Sequence, residues 1–238
     1  MKRTIITLLA CTVVLSLSAQ FLTFSNYEKA LEGTVKGGGT ATMNLVLAYP
    51  ENKNPQDINA MRSAISSIVN ESALATEFGQ VLTNQPISRM ADFYVAAFTR
   101  GLRTGATYPM TYYVLNIVEE YQTERAVTFH VTDGIFGNGG PLAYYRTVRR
   151  SDGHVLNNGD LVRMNDGQLR ALLRNYFECE SEFDAECINN LTMSDVRCSI
   201  LNGGMDILWA VSSHFTQDVI IPHDAIQPYL TEQGRSLF

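Results

Sequence analysis

Motifs for the common catalytic and nucleotide-binding sites are missing from this sequence. No phosphate-binding loop or dinucleotide fingerprint occurs, and no serine lies in a nucleophile elbow or a Ser-x-x-Lys motif. The glycine-rich stretch 134–140 follows a predicted strand but leads into another strand, so it offers no helix terminus to an anion. His130, His154, His214 and His223 show no paired metal-ligand spacing. We therefore predict no catalytic residue, no metal site and no cofactor.

The sequence also lacks a cluster of positive charge. It contains 18 lysines and arginines against 24 aspartates and glutamates, a formal net charge of −6. The densest basic group is Arg146, Arg149 and Arg150, which alternates with apolar residues as on an exposed strand face. Nucleic acid is therefore not an expected partner. An acidic surface favours positively charged protein partners, although the same charge also serves solubility.

Only one long apolar run occurs, and it lies near the amino terminus. Lys2 and Arg3 precede an apolar stretch 4–17, which the small residues Ser18 and Ala19 follow. This pattern predicts a secretory signal peptide over residues 1–19, with cleavage after Ser18 as the alternative. The apolar stretch is shorter than the roughly 20 residues of a membrane span. We expect an exported protein, either periplasmic or extracellular and at the cell surface, with no transmembrane span after cleavage.

Cysteines are few, and their number after export is odd. Cys179, Cys187 and Cys198 remain, which in an oxidising compartment predicts one disulfide and one leftover thiol without fixing which two pair. Together with His214 they match no zinc-site spacing. Acidic residues alternate between positions 178 and 186, but the glycine and ligand order of a calcium loop is missing. We predict a solvated loop held by a disulfide.

The remaining sequence alternates strand and helix signals. Asn54 and Pro55 predict the start of one amphipathic helix, a second spans about Ser88–Arg100, and Asn165 begins a third. Period-two patterns predict a strand around residues 43–49, three strands over 112–121, 126–132 and 142–150, and two closing strands over 207–213 and 218–221. The predicted fold class is α+β, an antiparallel sheet meander with about three amphipathic helices packed on it.

A series of motifs follows one another along the carboxyl-terminal half. They are Phe129, Gly139-Gly140, Tyr144-Tyr145, Asp152-Gly153-His154-Val155-Leu156, Asp160-Leu161-Val162, Ile220-Ile221-Pro222 and Ile226-Gln227-Pro228-Tyr229-Leu230. In the order of these features, more than in any one motif, residues from about 111 to 238 resemble the RsiV-like domain of unknown function. Segment 20–110 is similar in layout to the region that often precedes that domain, so the chain divides into 1–19, 20–110 and 111–238, unless the last two form one compact unit.

Relatives in that family include the extracytoplasmic part of an anti-sigma factor that senses lysozyme, and domains attached to peptidoglycan-modifying enzymes. The resemblance implies a non-catalytic cell-envelope binding domain, with a lysozyme-like protein or a peptidoglycan fragment as partner. Many relatives carry alanine and histidine where Pro141 and Leu142 stand here. Because only three residues precede the apolar segment, we expect no anti-sigma role.

Exposed aromatic side chains beside a glycine turn suit recognition, which selects Asn138, Gly139, Gly140, Tyr144 and Tyr145 as the predicted binding patch. Neighbours on a strand point to opposite faces, so at least one of the two tyrosines packs inside the sheet. Two other hypotheses stay open. One is an envelope hydrolase with a site assembled from distant acids and histidines, and the other is a structural or assembly protein.

Overall fold

The computed structural model describes residues 21–51, 54–136, 140–212 and 215–238. Two β-sheets and eight α-helices make up these ranges. The strands are β1 (Phe24–Thr34), β2 (Thr40–Pro50), β3 (Tyr112–Gln122), β4 (Ala126–Phe136), β5 (Leu142–Arg149), β6 (Val196–Leu201), β7 (Gly204–Ser212) and β8 (Phe215–Pro222). The helices are α1 (Pro55–Asn70), α2 (Ala73–Phe78), α3 (Ile87–Thr104), α4 (Asn158–Leu161), α5 (Asp166–Tyr176), α6 (Glu182–Asn190), α7 (His223–Ile226) and α8 (Glu232–Leu237).

The larger sheet has the order β1-β2-β3-β4-β5 and is mixed. The pairs β1/β2, β3/β4 and β4/β5 are antiparallel, but β2 and β3 run parallel, with Met43 opposite Tyr113. The prediction of a purely antiparallel meander was therefore wrong for this sheet. The reason is the long connection: α1, α2 and α3 return the chain to the end at which β2 began, so β3 runs in the direction of β2.

Helices α1 and α3 cover one face of the larger sheet, as the apolar stripes of the sequence predicted. Asn54 caps α1, because its side chain accepts a hydrogen bond of 3.0 Å from the Gln56 N–H, and Pro55 occupies the first helical position. Helix α3 ends at Gly105, whose φ of 81° is the left-handed conformation that glycine adopts readily. The shared core contains the fully buried side chains of Met43, Leu45, Leu47, Met61, Ile65, Tyr94, Phe98 and Phe129.

The smaller sheet, β6-β7-β8, is antiparallel and packs on its own set of helices. Trp209 lies at 1 % exposure in this second core, with the Phe177 ring edge-on at 5.0 Å between centroids. Asn165 and Gln168 form the predicted capping box of α5. The cysteine segment, predicted to be a loop, instead contains α6. The Ser181 side chain accepts from the Asp184 N–H, and Asp184 returns the bond to the Ser181 N–H.

The two sheets meet where β6 lies against β5. Ile200 donates its N–H to the Thr147 hydroxyl at 2.8 Å, and its carbonyl accepts from the Thr128 hydroxyl at 2.6 Å. Farther along β6, Asn158 accepts from the Cys198 N–H at 2.9 Å and donates to the Val196 carbonyl at 2.8 Å. Side chains thus satisfy the outer backbone groups of β6, which an edge strand would otherwise leave unpaired.

The predicted boundary near residue 110 separates α3 from β3 and stays a prediction. In the structure β3 pairs with β2, so the larger sheet continues across it. The predicted signal peptide, residues 1–19, lies outside the described residues. Within those residues, no helix combines the length and the apolar character that crossing a membrane requires.

Candidate functional site

Helix α2 places one acidic side chain at the entrance of the best candidate cavity. The Ser72 side chain accepts a hydrogen bond of 3.2 Å from the Ala75 N–H, and Asp133 on β4 accepts from the Ala73 N–H at 2.9 Å. These two bonds satisfy backbone donors of the first helical turn and tie α2 to the larger sheet. Glu77, one turn further on, is exposed beside the start of β3.

The loop between α3 and β3 supplies the apolar wall of the same cavity. Pro109 packs against Gly39, where an added Cβ would lie 2.7 Å from the proline Cβ. The Met110 N–H donates to the Thr40 carbonyl at 2.7 Å. These contacts hold Met110 at a φ of 58°, a left-handed conformation that costs a residue with a Cβ about 1 kcal/mol or more. The Met110 side chain is 89 % exposed, so burial does not repay that cost.

These residues form a groove of about 500 Å³, here named the aromatic groove. Its lining residues are Glu77, Tyr108, Pro109, Met110, Thr111, Tyr113, Ile135 and Phe136. Tyr108 is 71 % exposed at the rim. Phe136 is held by the ring of Tyr112 at 5.2 Å between centroids. A concave surface that exposes tyrosine and methionine side chains is typical of a contact site for another molecule.

The charge of the groove is negative. Among the described residues that line it, Glu77 is the one ionisable side chain besides tyrosines. Burial, and after it the negative charge of Glu77, raise the pKa of Tyr113 to about 12, so this phenol is neutral at physiological pH. The groove therefore presents apolar rings and one carboxylate, a combination that suits a positively charged, partly apolar ligand.

A larger cavity, of about 590 Å³, lies beside α4 and α5 and is a weaker candidate. Its Asn165 and Gln168 side chains are committed to the capping box of α5, at 2.9 Å in each direction. Thr231 likewise donates to the Asp160 carbonyl at 2.5 Å. These polar side chains already have partners in the protein.

Of the predicted binding patch, Asn138 and Gly139 lie outside the described residues, and Gly140 is exposed. Tyr144 is only 9 % exposed, while Tyr145 points to the other face of β5 and is half-buried. Tyr145 packs against His130, with 5.2 Å between ring centroids. The two tyrosines therefore do not form one surface.

The described histidines lie apart from one another. His130 contacts Tyr145, His154 lies 3.5 Å from the Asp160 carboxylate, and His223 lies 3.8 Å from Asp224. His214 falls outside the described residues. The described residues that line the aromatic groove include no histidine.

Cys179 is exposed, Cys187 is half-buried and Cys198 is buried, all three as free thiols. The disulfide expected after export stays a prediction. In the part of the chain that the structure describes, no three histidine, cysteine, aspartate or glutamate side chains are placed to hold a metal ion.

Sequence reasoning missed the aromatic groove. Its one local signal is Tyr108-Pro109-Met110, where two large apolar residues flank a proline between a helix and a strand. Turns of this kind usually carry small or polar residues. Glu77 and Phe136 join the site only through the packing of α2 and β4, which no local pattern encodes.

Comparisons with known proteins identify the fold. No family model and no curated protein sequence matches the chain. The crystal structure of a DUF3298 family member from Bacteroides fragilis is similar with a TM-score of 0.67, 10% sequence identity, and coverage of 89% of this chain and 94% of that chain. A DUF3298 family protein from Pseudomonas aeruginosa gives a TM-score of 0.54, 10% identity, and coverage of 90% and 97%. The chain thus has the fold of these proteins, whose domain is uncharacterised.

Proposed function

We propose that this protein is an exported, non-catalytic binding domain of the cell envelope, and that the aromatic groove contacts a positively charged protein partner. The observation that carries the proposal is Met110, a side chain 89 % exposed on a backbone held at φ 58°. Strained backbone is kept where the surrounding structure fixes it, and such positions cluster at binding sites. Here the strain presents an apolar side chain to solvent beside Tyr108.

The composition of the groove supports a protein ligand. Tyrosine, phenylalanine and methionine are enriched in protein interfaces, and methionine adapts its shape to a partner. The exposed carboxylate of Glu77 and the net charge of −6 favour a basic partner through electrostatic steering. The resemblance to the RsiV-like domain makes lysozyme, a basic protein, the first partner to test. A peptidoglycan fragment is the second.

Export is part of the proposal and is supported by the amino-terminal sequence. Lys2 and Arg3, the apolar stretch and the small residues Ser18 and Ala19 have the order of a secretory signal. Export would bring the groove into the compartment in which lysozyme and peptidoglycan occur.

The binding experiment titrates residues 20–238 with lysozyme by isothermal calorimetry, with solubilised peptidoglycan fragments in a parallel arm. We expect Tyr108→Ser and Glu77→Lys each to weaken lysozyme binding about tenfold or more, as for central interface residues. Leu82→Ser is the matched control, because Leu82 is 76 % exposed and does not line the groove.

Several outcomes would contradict the proposal. Absence of binding to both ligands at high micromolar concentration would exclude lysozyme and peptidoglycan as partners. Equal losses of affinity in the Leu82→Ser and Tyr108→Ser variants would show that the aromatic groove is not the binding site. Turnover of the peptidoglycan fragments, followed by chromatography of the products, would support the hydrolase hypothesis instead.

A further inference from the structure

A smaller cleft, of about 300 Å³, lies where β5, β6 and the start of α4 meet. Two arginines, Arg146 of β5 and Arg197 of β6, lie on its wall together with Asn158. This cleft shares no lining residue with the aromatic groove. The contacts of the two guanidinium groups determine which ligand the cleft can bind.

Arg197 is positioned by an aromatic ring rather than by an acid. Its guanidinium carbon lies 4.3 Å from the centroid of the Tyr144 ring, a cation–π contact that Arg makes more often than Lys. Burial raises the pKa of Tyr144 to about 12, so the phenol stays neutral beneath the cation. Among the described residues, no carboxylate lies within ion-pair distance of Arg197. Although the chain has 24 acidic residues, the positive charge of Arg197 thus has no paired carboxylate among the described residues.

Arg146 adds a second charge that is only partly compensated. It forms an ion pair with Glu71, and its Nε is buried without a hydrogen-bond partner among the described residues. Burial, and then the positive charge of Arg197, lower the pKa of Arg146 to about 10. Two guanidinium groups and the carboxylate of Glu71 carry a net charge of one positive unit. One bound carboxylate would neutralise it, whereas a phosphate dianion would exceed it.

The walls of the cleft are fixed before any ligand binds. Asn158 bonds the Met193 carbonyl at 2.9 Å, the Val196 carbonyl at 2.8 Å and the Cys198 N–H at 2.9 Å. The Ser199 hydroxyl donates to the Tyr145 carbonyl at 3.0 Å and ties β6 to β5. Because the Asn158 amide already bonds these backbone groups, the two arginines are the side chains that would bind a ligand. Their strands are held in one arrangement, which lowers the entropy cost of binding.

We propose that Arg146 and Arg197 form a binding site for a single carboxylate group, supplied by a peptide or by an acidic sugar. The planar guanidinium groups suit a carboxylate, which can accept two parallel hydrogen bonds from one arginine. The site does not depend on the aromatic groove, and it would persist if the proposed lysozyme contact were absent.

The test is an NMR titration of isotope-labelled residues 20–238, which follows the arginine Nε–H and backbone signals. N-acetylalanine is the peptide-like carboxylate and N-acetylalaninamide its neutral control, while glucuronate and glucose form the matched sugar pair. We expect saturable shifts around Arg197 with at least one acid, and binding about tenfold weaker for the corresponding neutral compound. The acid that binds identifies the source of the carboxylate.

Variants then separate the site from general charge effects. Arg197→Gln should weaken binding of the acid about tenfold, and Arg197→Lys should give an intermediate loss because the charge stays but the planar group is lost. Arg100→Gln removes an equal charge from an exposed position of α3 and should change the affinity less than about twofold. Circular dichroism verifies that each variant is folded.

Equal binding of acid and amide to the unaltered protein would overturn the proposal without any variant. Equal losses in Arg197→Gln and Arg100→Gln would overturn it as well, because the effect would then reflect net charge alone.

Discussion

Asp206 on β7 and Asp218 on β8 lie diagonally across one strand pair and on the same face of the smaller sheet, since Asp206 is opposite Ile220 and Leu208 is opposite Asp218. Asp206 is 1 % exposed, whereas Asp218 faces solvent. Burial disfavours the charged form of a carboxyl group, and a neighbouring carboxylate disfavours a second negative charge beside it. Burial, and then the negative charge of Asp218, raise the pKa of Asp206 to about 8. Burial thus favours the neutral acid form of Asp206, which lies on β7 opposite Ser199 of β6.

This pair makes the stability of the protein depend on pH. The folded-state pKa of Asp206 lies above the unfolded value of about 4, so its stabilising contribution is complete below pH 4 and is lost as the pH rises to about 8. We expect the free energy of unfolding to fall between pH 5 and pH 8, with a slope from this group that approaches about 1.4 kcal/mol per pH unit. Asp152 has a pKa that Arg149 lowers, so it changes the free energy of unfolding at a pH below this interval.

Urea unfolding of the unaltered protein and of Asp206→Asn at both pH values measures the effect. The asparagine amide does not titrate and places no charge in the buried position, so the variant should lose most of the slope and be more stable than the unaltered protein at pH 8. Asp92→Asn, an exposed change on α3, should retain the slope. A variant with the slope of the unaltered protein would show that Asp206 is not the titrating group.

The hydroxyls of Thr128 and Thr147 should contribute cooperatively to the junction of the two sheets. The two hydroxyl oxygens lie 2.9 Å apart. The Thr128 hydroxyl donates to the Ile200 carbonyl, and the Thr147 hydroxyl accepts from the Ile200 N–H. Thr128→Val or Thr147→Val leaves a buried backbone group of β6 unsatisfied, which costs about 1–3 kcal/mol. Because both changes remove the same threonine–threonine bond, the double variant should lose less than the sum of the two.

Chemical denaturation of the four proteins of that cycle supplies the coupling energy. Thr104→Val on the exposed side of α3 is the control and should cost less than about 0.5 kcal/mol. Strict additivity would mean that the two hydroxyls act independently.

Relief of strain at Met110 should stabilise the protein while it harms the groove. Met110→Gly removes the Cβ that disfavours a φ of 58°, and it loses little burial because the side chain is 89 % exposed. We expect the midpoint of urea unfolding to rise by the equivalent of about 0.5–1 kcal/mol, with weaker binding of the partner. Asn84→Gly has a similar φ of 59° but should gain less, since asparagine tolerates this region. A destabilised Met110→Gly protein would show that the methionine packs more than its exposure indicates.

The long helices could be predicted from the sequence because residues within one turn decide where they begin. The strand pairing and the two candidate sites could not, because they depend on contacts between distant segments. Asn54 with Pro55, and Asn165 with Gln168, act within one helical turn, so their patterns predict where α1 and α5 begin. The parallel pairing of β2 with β3 depends on where three helices return the chain. Ser181 and Asp184 do form a local capping box, yet the cysteines around it favoured a loop interpretation. The aromatic groove and the arginine cleft each combine segments far apart in sequence, so only folding brings them together.

The three cysteines should differ sharply in their reaction with a thiol reagent. Burial, and then the nearby charge of Asp206, raise the pKa of Cys198 to about 12, and its thiol is inside the second core, whereas Cys179 is exposed. Since the thiolate is the nucleophile, we expect iodoacetamide to modify Cys198 at least about a hundredfold more slowly than Cys179 at pH 8. Peptide mass spectrometry against time gives the rates, and about 8 M urea should make them similar.

Omitting the reductant in a parallel sample tests the predicted disulfide, because a paired sulfur resists alkylation until it is reduced. Equal modification rates for Cys179 and Cys198 in the native protein would mean that β6 opens readily. That result would contradict the stabilising role of the three hydrogen bonds that the Asn158 side chain forms with the Met193 carbonyl, the Val196 carbonyl and the Cys198 N–H.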